Sequence, residues 1–178
     1  MTLKKIKFIS VIGTFLLCFL THFIYDKMPN TLFSIFFPVN ESIWEHMKML
    51  FTTILLFGII EYILIIKFNI KVNNYLFSLF IAAICSVPIY LIIFMPIYNR
   101  IGENMPIIFI IMIITFIICN FISYKIMNLN KFKYINLISI ILIIISYVIF
   151  GYLTYNPIKN SLFFDTSLEK YGINDYDI

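Results

Sequence analysis

The sequence predicts an all-α fold: a polytopic bundle of about five transmembrane helices forming a single integral membrane domain over residues 1–178. Of the 178 residues, 62% are hydrophobic and only 12% are charged, and the mean hydropathy is +0.99. A soluble domain carries about 25% charged residues, so this chain has too little charge to cover a globule in water. The hydrophobic residues are continuous rather than alternating with polar ones, which favours helices over a barrel.

Five apolar runs come close to the length of about 20 residues that a spanning helix needs. The first covers residues 8–25 and the second residues 43–66. The remaining three cover residues 75–95, 107–123 and 135–155. The sequence therefore predicts five crossings joined by short connections.

Prolines indicate where these helices bend or stop. Pro88 leaves the carbonyl of Ile84 without its helical partner and predicts a kink in the third span, and we expect Pro96 to help end that span. Residues 31–39 are too short to cross a bilayer and too apolar to lie in water, so they predict either a re-entrant segment or an interfacial helix. Pro38 disfavours a helical conformation for the residue before it, so the chain should turn there.

The distribution of lysines indicates the orientation. The N-terminus and the second and fourth loops contain eight basic and no acidic residues, whereas the other segments contain five basic and eight acidic residues. Because basic loops stay inside, the sequence predicts a cell-membrane protein with a cytoplasmic N-terminus. The tail, residues 156–178, would be external, and its apolar residues suggest that it folds onto the outer face. The dispersed lysines do not form the basic stripe of a nucleic-acid-binding protein.

A polar stretch precedes the second span. Ser42 and Glu45 have the spacing of a capping box, in which each side chain accepts from the backbone N–H of the other residue. Trp44 suits a membrane interface. A helix that begins at the headgroup level would explain these three residues without any further function, but it would not explain Glu41 or His46.

The first span offers partners for these residues. His22 and Asp26 are four residues apart and share one helix face, and a histidine in a membrane helix is a functional candidate because its nitrogens need partners there. One alternative is that Asp26 simply hydrogen-bonds His22 and fixes its tautomer. Because the connecting loop is short, we expect His22 and Asp26 to lie near His46, Glu41 and Glu45. Such a group could bind Zn²⁺ or another divalent metal, or exchange protons near neutral pH.

Glu61 stands apart from this group. It lies 16 residues beyond Glu45, or about 24 Å along a helix, near the expected cytoplasmic boundary. A structural role is the simpler interpretation there. If Glu61 faced an interior path, it would mark a transport route.

Three strings resemble an uncharacterised bacterial family of small polytopic membrane proteins with a domain of unknown function. They are residues 21–25 (Thr-His-Phe-Ile-Tyr), residues 39–48 around Asn-Glu-Ser-Ile-Trp-Glu-His, and, in the tail, residues 164–165 (Phe-Asp) with residues 171–173 (Tyr-Gly-Ile). The resemblance implies a membrane fold and no particular activity. Residues 40–46 are also similar, more weakly, to a segment of the progestin and adiponectin receptor family, whose relatives include metal-dependent membrane hydrolases. The chain lacks a third histidine for the zinc site of those relatives.

Three functions remain open on the sequence, and whether the protein is an enzyme is one of the open points. The first is a binding or accessory membrane protein whose outward-facing cluster receives a ligand, ion or unidentified partner. The second is a metal-dependent hydrolase of lipid or envelope substrates, with His22 and His46 as metal ligands, Asp26 as a further ligand or an orienting residue, and Glu45 as general base. The third is a small ion- or proton-coupled transporter that uses Glu61. The ligand-binding residues of the first hypothesis are His22, Asp26, Asn40, Glu41, Trp44, Glu45 and His46.

Overall fold

The computed structural model describes residues 1–173, so residues 174–178 of the predicted tail lie outside the described part. Five long helices and two short ones carry the fold. Each long helix is long and apolar enough to cross a membrane, the first together with the short helix after it. The predicted all-α bundle of five spans is therefore confirmed. In chain order the helices are α1 (Leu3–His22), α2 (Ile24–Lys27), α3 (Thr31–Phe36), α4 (Ile43–Lys67), α5 (Tyr75–Ile101), α6 (Met105–Met127) and α7 (Ile135–Tyr155).

Helix α4 is the centre of the bundle. It packs against α1 and α5, α6 packs against the same two helices, and α7 packs against α5 and α3. The side chains of Met47, Leu50 and Phe51 on α4 are almost completely buried. The outer faces of α6 and α7 instead expose isoleucines such as Ile117 and Ile141, as expected of a bundle surrounded by hydrocarbon rather than water.

Two glycines allow the helices beside α4 to approach it closely. A Cβ atom at Gly13 of α1 would lie 2.1 Å from the Phe57 ring of α4. A Cβ atom at Gly58 of α4 would lie 2.5 Å from Leu79 of α5. Since real side chains do not tolerate such distances, the absence of a side chain at each glycine sets the separation of its helix pair.

The segment predicted to be re-entrant or interfacial contains α3, which lies alongside α4. The Phe36 carbonyl accepts a hydrogen bond from Thr52 Oγ1 at 2.8 Å. Thr52 lies nine residues beyond the start of α4, roughly 13 Å along the helix. Ser34 is buried and lies 2.9 Å from the Tyr155 hydroxyl of α7. Helix α3 ends at Phe36 and the backbone of Phe37 is extended. The chain therefore leaves the helix before Pro38, as predicted.

The prediction that Pro96 helps end the third span is wrong. Helix α5 contains both Pro88 and Pro96 and ends at Ile101, where Gly102 adopts a φ of 71° and donates its N–H to Tyr98 at 2.9 Å. A proline removes only one helical hydrogen bond. In apolar surroundings the following N–H groups have no partner outside the helix, so the helix continues.

After α7 the chain folds back onto the end of the bundle where α4 begins. Two short antiparallel strands, β1 (Phe164–Asp165) and β2 (Lys170–Tyr171), form a hairpin there. The backbone N–H of Trp44 donates to the Leu162 carbonyl at 2.8 Å, and the Trp44 ring stacks on Phe163 with centroids 4.8 Å apart. We call residues 160–173 the tail hairpin. It covers the first turn of α4.

Candidate metal centre

Two helix ends bring both histidines of the chain together. His22 is the last residue of α1 and His46 is the fourth residue of α4. Their Nε2 atoms are 3.2 Å apart. Below them the two helices are joined by a contact of 2.8 Å between the hydroxyls of Thr21 and Thr53. The packing of α1 on α4 therefore places the imidazoles side by side.

Glu41 supplies a third donor atom. It lies in the loop just before α4, and its Oε2 atom is 3.5 Å from the Nε2 atom of His22 and 3.5 Å from that of His46. The side chain of Glu41 is 50% exposed, and those of His22 and His46 are 23% and 29% exposed. We call these three residues the His–Glu cluster. The cluster is partly exposed at the end of the bundle where α1 ends and α4 begins.

The electrostatic surroundings keep the Glu41 carboxyl ionised. A hydrogen bond with His22 is the main reason that the pKa of Glu41 lies below its ordinary value, and the attraction of both imidazoles adds to this effect. Partial burial opposes the shift. The cluster thus contains a carboxylate that carries its negative charge at neutral pH.

A backbone carbonyl orients His46. Its Nδ1 atom lies 2.9 Å from the carbonyl oxygen of Ser42. A carbonyl oxygen can only accept, so Nδ1 carries the proton and, in the neutral ring, Nε2 presents its lone pair to the cluster. A hydrogen bond from the ring nitrogen that does not face the metal position is typical of metal-binding histidines. The Nδ1 atom of His22 is buried and has no hydrogen-bond partner among residues 1–173.

The three donor atoms have separations that suit a metal ion. A tetrahedral zinc ion with bonds of about 2.0–2.1 Å places its donor atoms about 3.3–3.4 Å apart. The cluster has separations of 3.2, 3.5 and 3.5 Å. His22, Glu41 and His46 could therefore hold a divalent metal ion. Three such ligands leave a fourth position for water or an exchangeable ligand.

Two of the predicted metal and catalytic residues lie elsewhere. Asp26 is exposed on α2 and acts on His22 only through space, so the carboxylate beside the imidazoles is that of Glu41. Glu45 is 2% exposed and faces α7, where its carboxylate accepts from Thr154 Oγ1 at 2.9 Å. It also forms an ion pair with Lys48. Glu45 therefore belongs to a buried polar network with Lys48 and Thr154.

The remaining residues of the stretch shape the loop. Glu45 donates its N–H to the Ser42 hydroxyl at 3.4 Å, but the Ser42 N–H donates to Asn40 Oδ1 at 2.9 Å. The reciprocal half of the predicted capping box is therefore wrong, because the Glu45 carboxylate is used by Lys48 and α7 instead. The Trp44 ring packs against Phe163 of the tail hairpin and Phe150 of α7.

Glu61 lies towards the opposite end of α4 in a second closed network. Its carboxylate forms an ion pair with Lys7 of α1 at 2.7 Å and accepts from Ser10. Lys7 also donates to Ser123 of α6 at 2.6 Å. A cavity of about 10 Å³ beside Glu61 has room for about one water molecule. The role of Lys7 could not be predicted from the sequence, because no sequence spacing relates two residues that lie 54 positions apart.

Fold and cluster together define a class of protein: a small multi-pass helical bundle with two histidines and a carboxylate gathered at one end. Residues 1–173 match the model of a protein family described as "Family of unknown function (DUF6512)". The chain belongs to this family, which confirms the predicted resemblance to a family of unknown function. No curated protein and no solved structure matches the chain.

Proposed function

We propose that this is a multi-pass membrane protein that binds a divalent metal ion, zinc in the first place, through His22, Glu41 and His46. The observation that carries the proposal is the set of separations between the three donor atoms, 3.2, 3.5 and 3.5 Å. Two imidazole nitrogens and one carboxylate oxygen are ligands that suit zinc. Placement in a lipid bilayer is part of the proposal and is supported by the five apolar helices.

The exposure of the cluster favours a binding role over a structural one. Structural zinc sites use four protein ligands, whereas sites that exchange a ligand keep one position open. Here the half-exposed Glu41 side chain leaves that position accessible. A bound metal would act there as a Lewis acid towards an incoming oxygen or nitrogen donor. The function that we assign to the cluster is to bind an ion or small ligand in this way.

The hydrolase that uses Glu45 as general base has less support. A general base must reach the reacting water directly or through one further water. The Glu45 carboxylate is instead engaged by Thr154, Lys48 and the Val39 N–H, the last at 3.2 Å. The transporter hypothesis likewise requires Glu61 to leave its pair with Lys7. Metal binding requires no change in either network.

The lysine distribution supports an orientation in which the cluster faces outwards. The eight basic residues of the N-terminus and two loops belong to the end opposite the cluster. Because positively charged loops remain cytoplasmic, the N-terminus would be inside the cell. The cluster and the tail hairpin would then meet ligands from the outside.

Zinc titration of purified protein tests the proposed function. The protein is produced with an affinity tag free of histidine, stripped with a chelator and titrated in detergent against a competing zinc indicator. We expect one zinc ion per chain, with affinity lowered by at least about 100-fold in His46→Gln and His22→Gln, because each removes a ligand.

Asp26→Asn is the matched control for Glu41→Gln. Both remove one exposed carboxylate at the same end of the bundle, but only Glu41 touches the imidazoles. The Glu41 variant should bind zinc more weakly and the Asp26 variant should bind it normally. Equal losses in the two variants, or a wild-type protein that retains no zinc, would contradict the proposal.

A further inference from the structure

We infer that Asp165 of the tail hairpin is a positioning residue for the metal centre, because it holds the Glu41 ligand against the two imidazoles. The inference rests on the proposed function and adds a residue that lies 124 positions from Glu41 in the chain. Asp165 does not touch the metal position itself. It acts through the backbone of Glu41.

The contacts of Asp165 divide between its two carboxylate oxygens. Oδ2 accepts the backbone N–H of Glu41 at 3.0 Å. Oδ1 accepts the N–H groups of Ser167 and Leu168 at 2.8 and 3.1 Å, which closes the turn of the hairpin. Asp165 is fully buried. A single buried carboxylate thus ties the hairpin turn to the loop that carries the ligand.

Glu41 needs such a tie because it lies outside the helices. His22 and His46 are held by α1 and α4, whereas Glu41 belongs to the connection between α3 and α4. Loop residues are more mobile than helical ones, and a metal ligand that must first be ordered binds more weakly than one already in place. A charge-assisted bond from a carboxylate to a backbone N–H is strong enough to order the loop.

The other contacts of the hairpin distinguish Asp165 from its neighbours. The Leu162 carbonyl accepts the backbone N–H of Trp44, and the Phe163 ring stacks on the Trp44 ring. The Gly172 carbonyl accepts from Asn40 Nδ2 at 3.4 Å. These contacts dock the hairpin on the residues to either side of Glu41. Asp165, by contrast, accepts the backbone N–H of Glu41 itself.

Cobalt binding to the full chain tests this inference, since the absorption of Co²⁺ reports its ligands. In Asp165→Asn one acceptor oxygen replaces two, so the N–H groups of Glu41 and of the hairpin turn can no longer both be accepted. We expect a dissociation constant for Co²⁺ raised about tenfold and an altered visible spectrum. Phe163→Leu is the control, because it loosens the same hairpin without touching Glu41, and its spectrum should match that of wild type.

A double variant separates positioning from a general structural effect. If Asp165 acts through Glu41, Asp165→Asn should weaken binding in the wild-type background and have no further effect in Glu41→Gln. Trp44 fluorescence shows whether the hairpin is docked in each sample, and Asp165→Ser serves in the same way if Asp165→Asn does not fold.

The outcomes distinguish the two proposals. Wild-type affinity and spectrum in Asp165→Asn, or losses that add in the double variant, would overturn the positioning role and leave the metal centre standing. Equal spectral changes in Phe163→Leu would also overturn it. A wild-type protein that binds no Co²⁺ would overturn both proposals together.

Discussion

Two buried ion pairs of the bundle differ from the His–Glu cluster in their surroundings. Lys7 with Glu61 and Lys48 with Glu45 are buried ion pairs, each completed by hydroxyl groups from other helices. A buried charge is tolerated when it is paired and hydrogen-bonded. The His–Glu cluster is instead partly exposed. The two closed pairs hold helices together, and the open cluster is where a ligand can bind.

Removing one partner of the pair between Lys7 and Glu61 should destabilise the bundle. Glu61→Gln leaves a buried ammonium group without a counter-charge, and breaking such a pair costs about 3–5 kcal/mol. Glu103→Gln, which alters an exposed carboxylate, is the control and should leave the free energy of unfolding unchanged. Unfolding in mixed micelles followed by circular dichroism measures the difference. Equal stabilities of the two variants would show that the pair does not hold α1 on α4.

Metal affinity should depend on pH through the histidines. Their imidazoles must be neutral to bind metal, so protons compete with the metal ion and affinity should fall as the solution is acidified. The pKa of Glu41 is lowered, so the stabilising charge of this carboxylate is present above its ordinary pKa of about 4.3 and is lost only as the pH falls through the lowered value. Zinc competition titrations from about pH 8 to about pH 5 check this expectation, and an affinity that is flat over this range would contradict it.

Among the elements, the pair α1 and α4 positions the centre. Gly13 lets α1 lie against the Phe57 ring, and nearer the cluster the hydroxyls of Thr21 and Thr53 join the same two helices at 2.8 Å. The tail hairpin then fixes the loop that carries Glu41. The centre therefore depends on one helix pair and one hairpin that are far apart in sequence.

A side chain at Gly13 should disturb the centre without altering any of its residues. In Gly13→Leu the new side chain meets Phe57, whose ring lies 2.1 Å from the position of a Cβ atom, so α1 and the buried Phe57 ring must move apart. We expect lower thermal stability and weaker zinc binding, with partial recovery in Gly13→Leu/Phe57→Ala. Ile12→Leu, at the exposed neighbouring position, is the control. Unchanged zinc affinity in Gly13→Leu would mean that the imidazoles do not depend on this contact.

Much of the fold could be predicted from the sequence, and less of the site. The five spans follow from continuous apolar runs, because no other backbone structure suits them. The meeting of His22 and His46 follows from the short connection between their helices. That the carboxylate beside the imidazoles belongs to Glu41 and not to Asp26 could not be predicted, because the position of Glu41 depends on a hairpin more than 100 residues away. The pairing of Lys7 with Glu61 could not be predicted either, because the two residues lie 54 positions apart in the chain.

At the scale of the whole molecule, the bundle has two unlike ends. One end combines the His–Glu cluster, the loop before α4 and the tail hairpin. The other contains the short loops from α4 to α5 and from α6 to α7, which are rich in lysine. This asymmetry is the physical basis of the proposed orientation.

Labelling of engineered cysteines should show which end is outside. In a background where the three native cysteines are replaced, Lys27→Cys and Lys71→Cys introduce thiols at exposed positions on opposite ends of the bundle. We expect a membrane-impermeant maleimide to label Lys27→Cys in intact cells and Lys71→Cys only after permeabilisation. The reverse pattern would contradict the orientation but not the metal centre.

X-ray absorption at the zinc edge of the zinc-loaded protein identifies the atoms that bind the metal. We expect nitrogen and oxygen neighbours at about 2.0–2.1 Å, with imidazole scattering from two histidines. In His46→Gln that scattering should fall to one histidine or the zinc should be lost. A shell containing sulfur, a six-oxygen shell, or a spectrum unchanged in His46→Gln would contradict a metal centre formed by His22, Glu41 and His46.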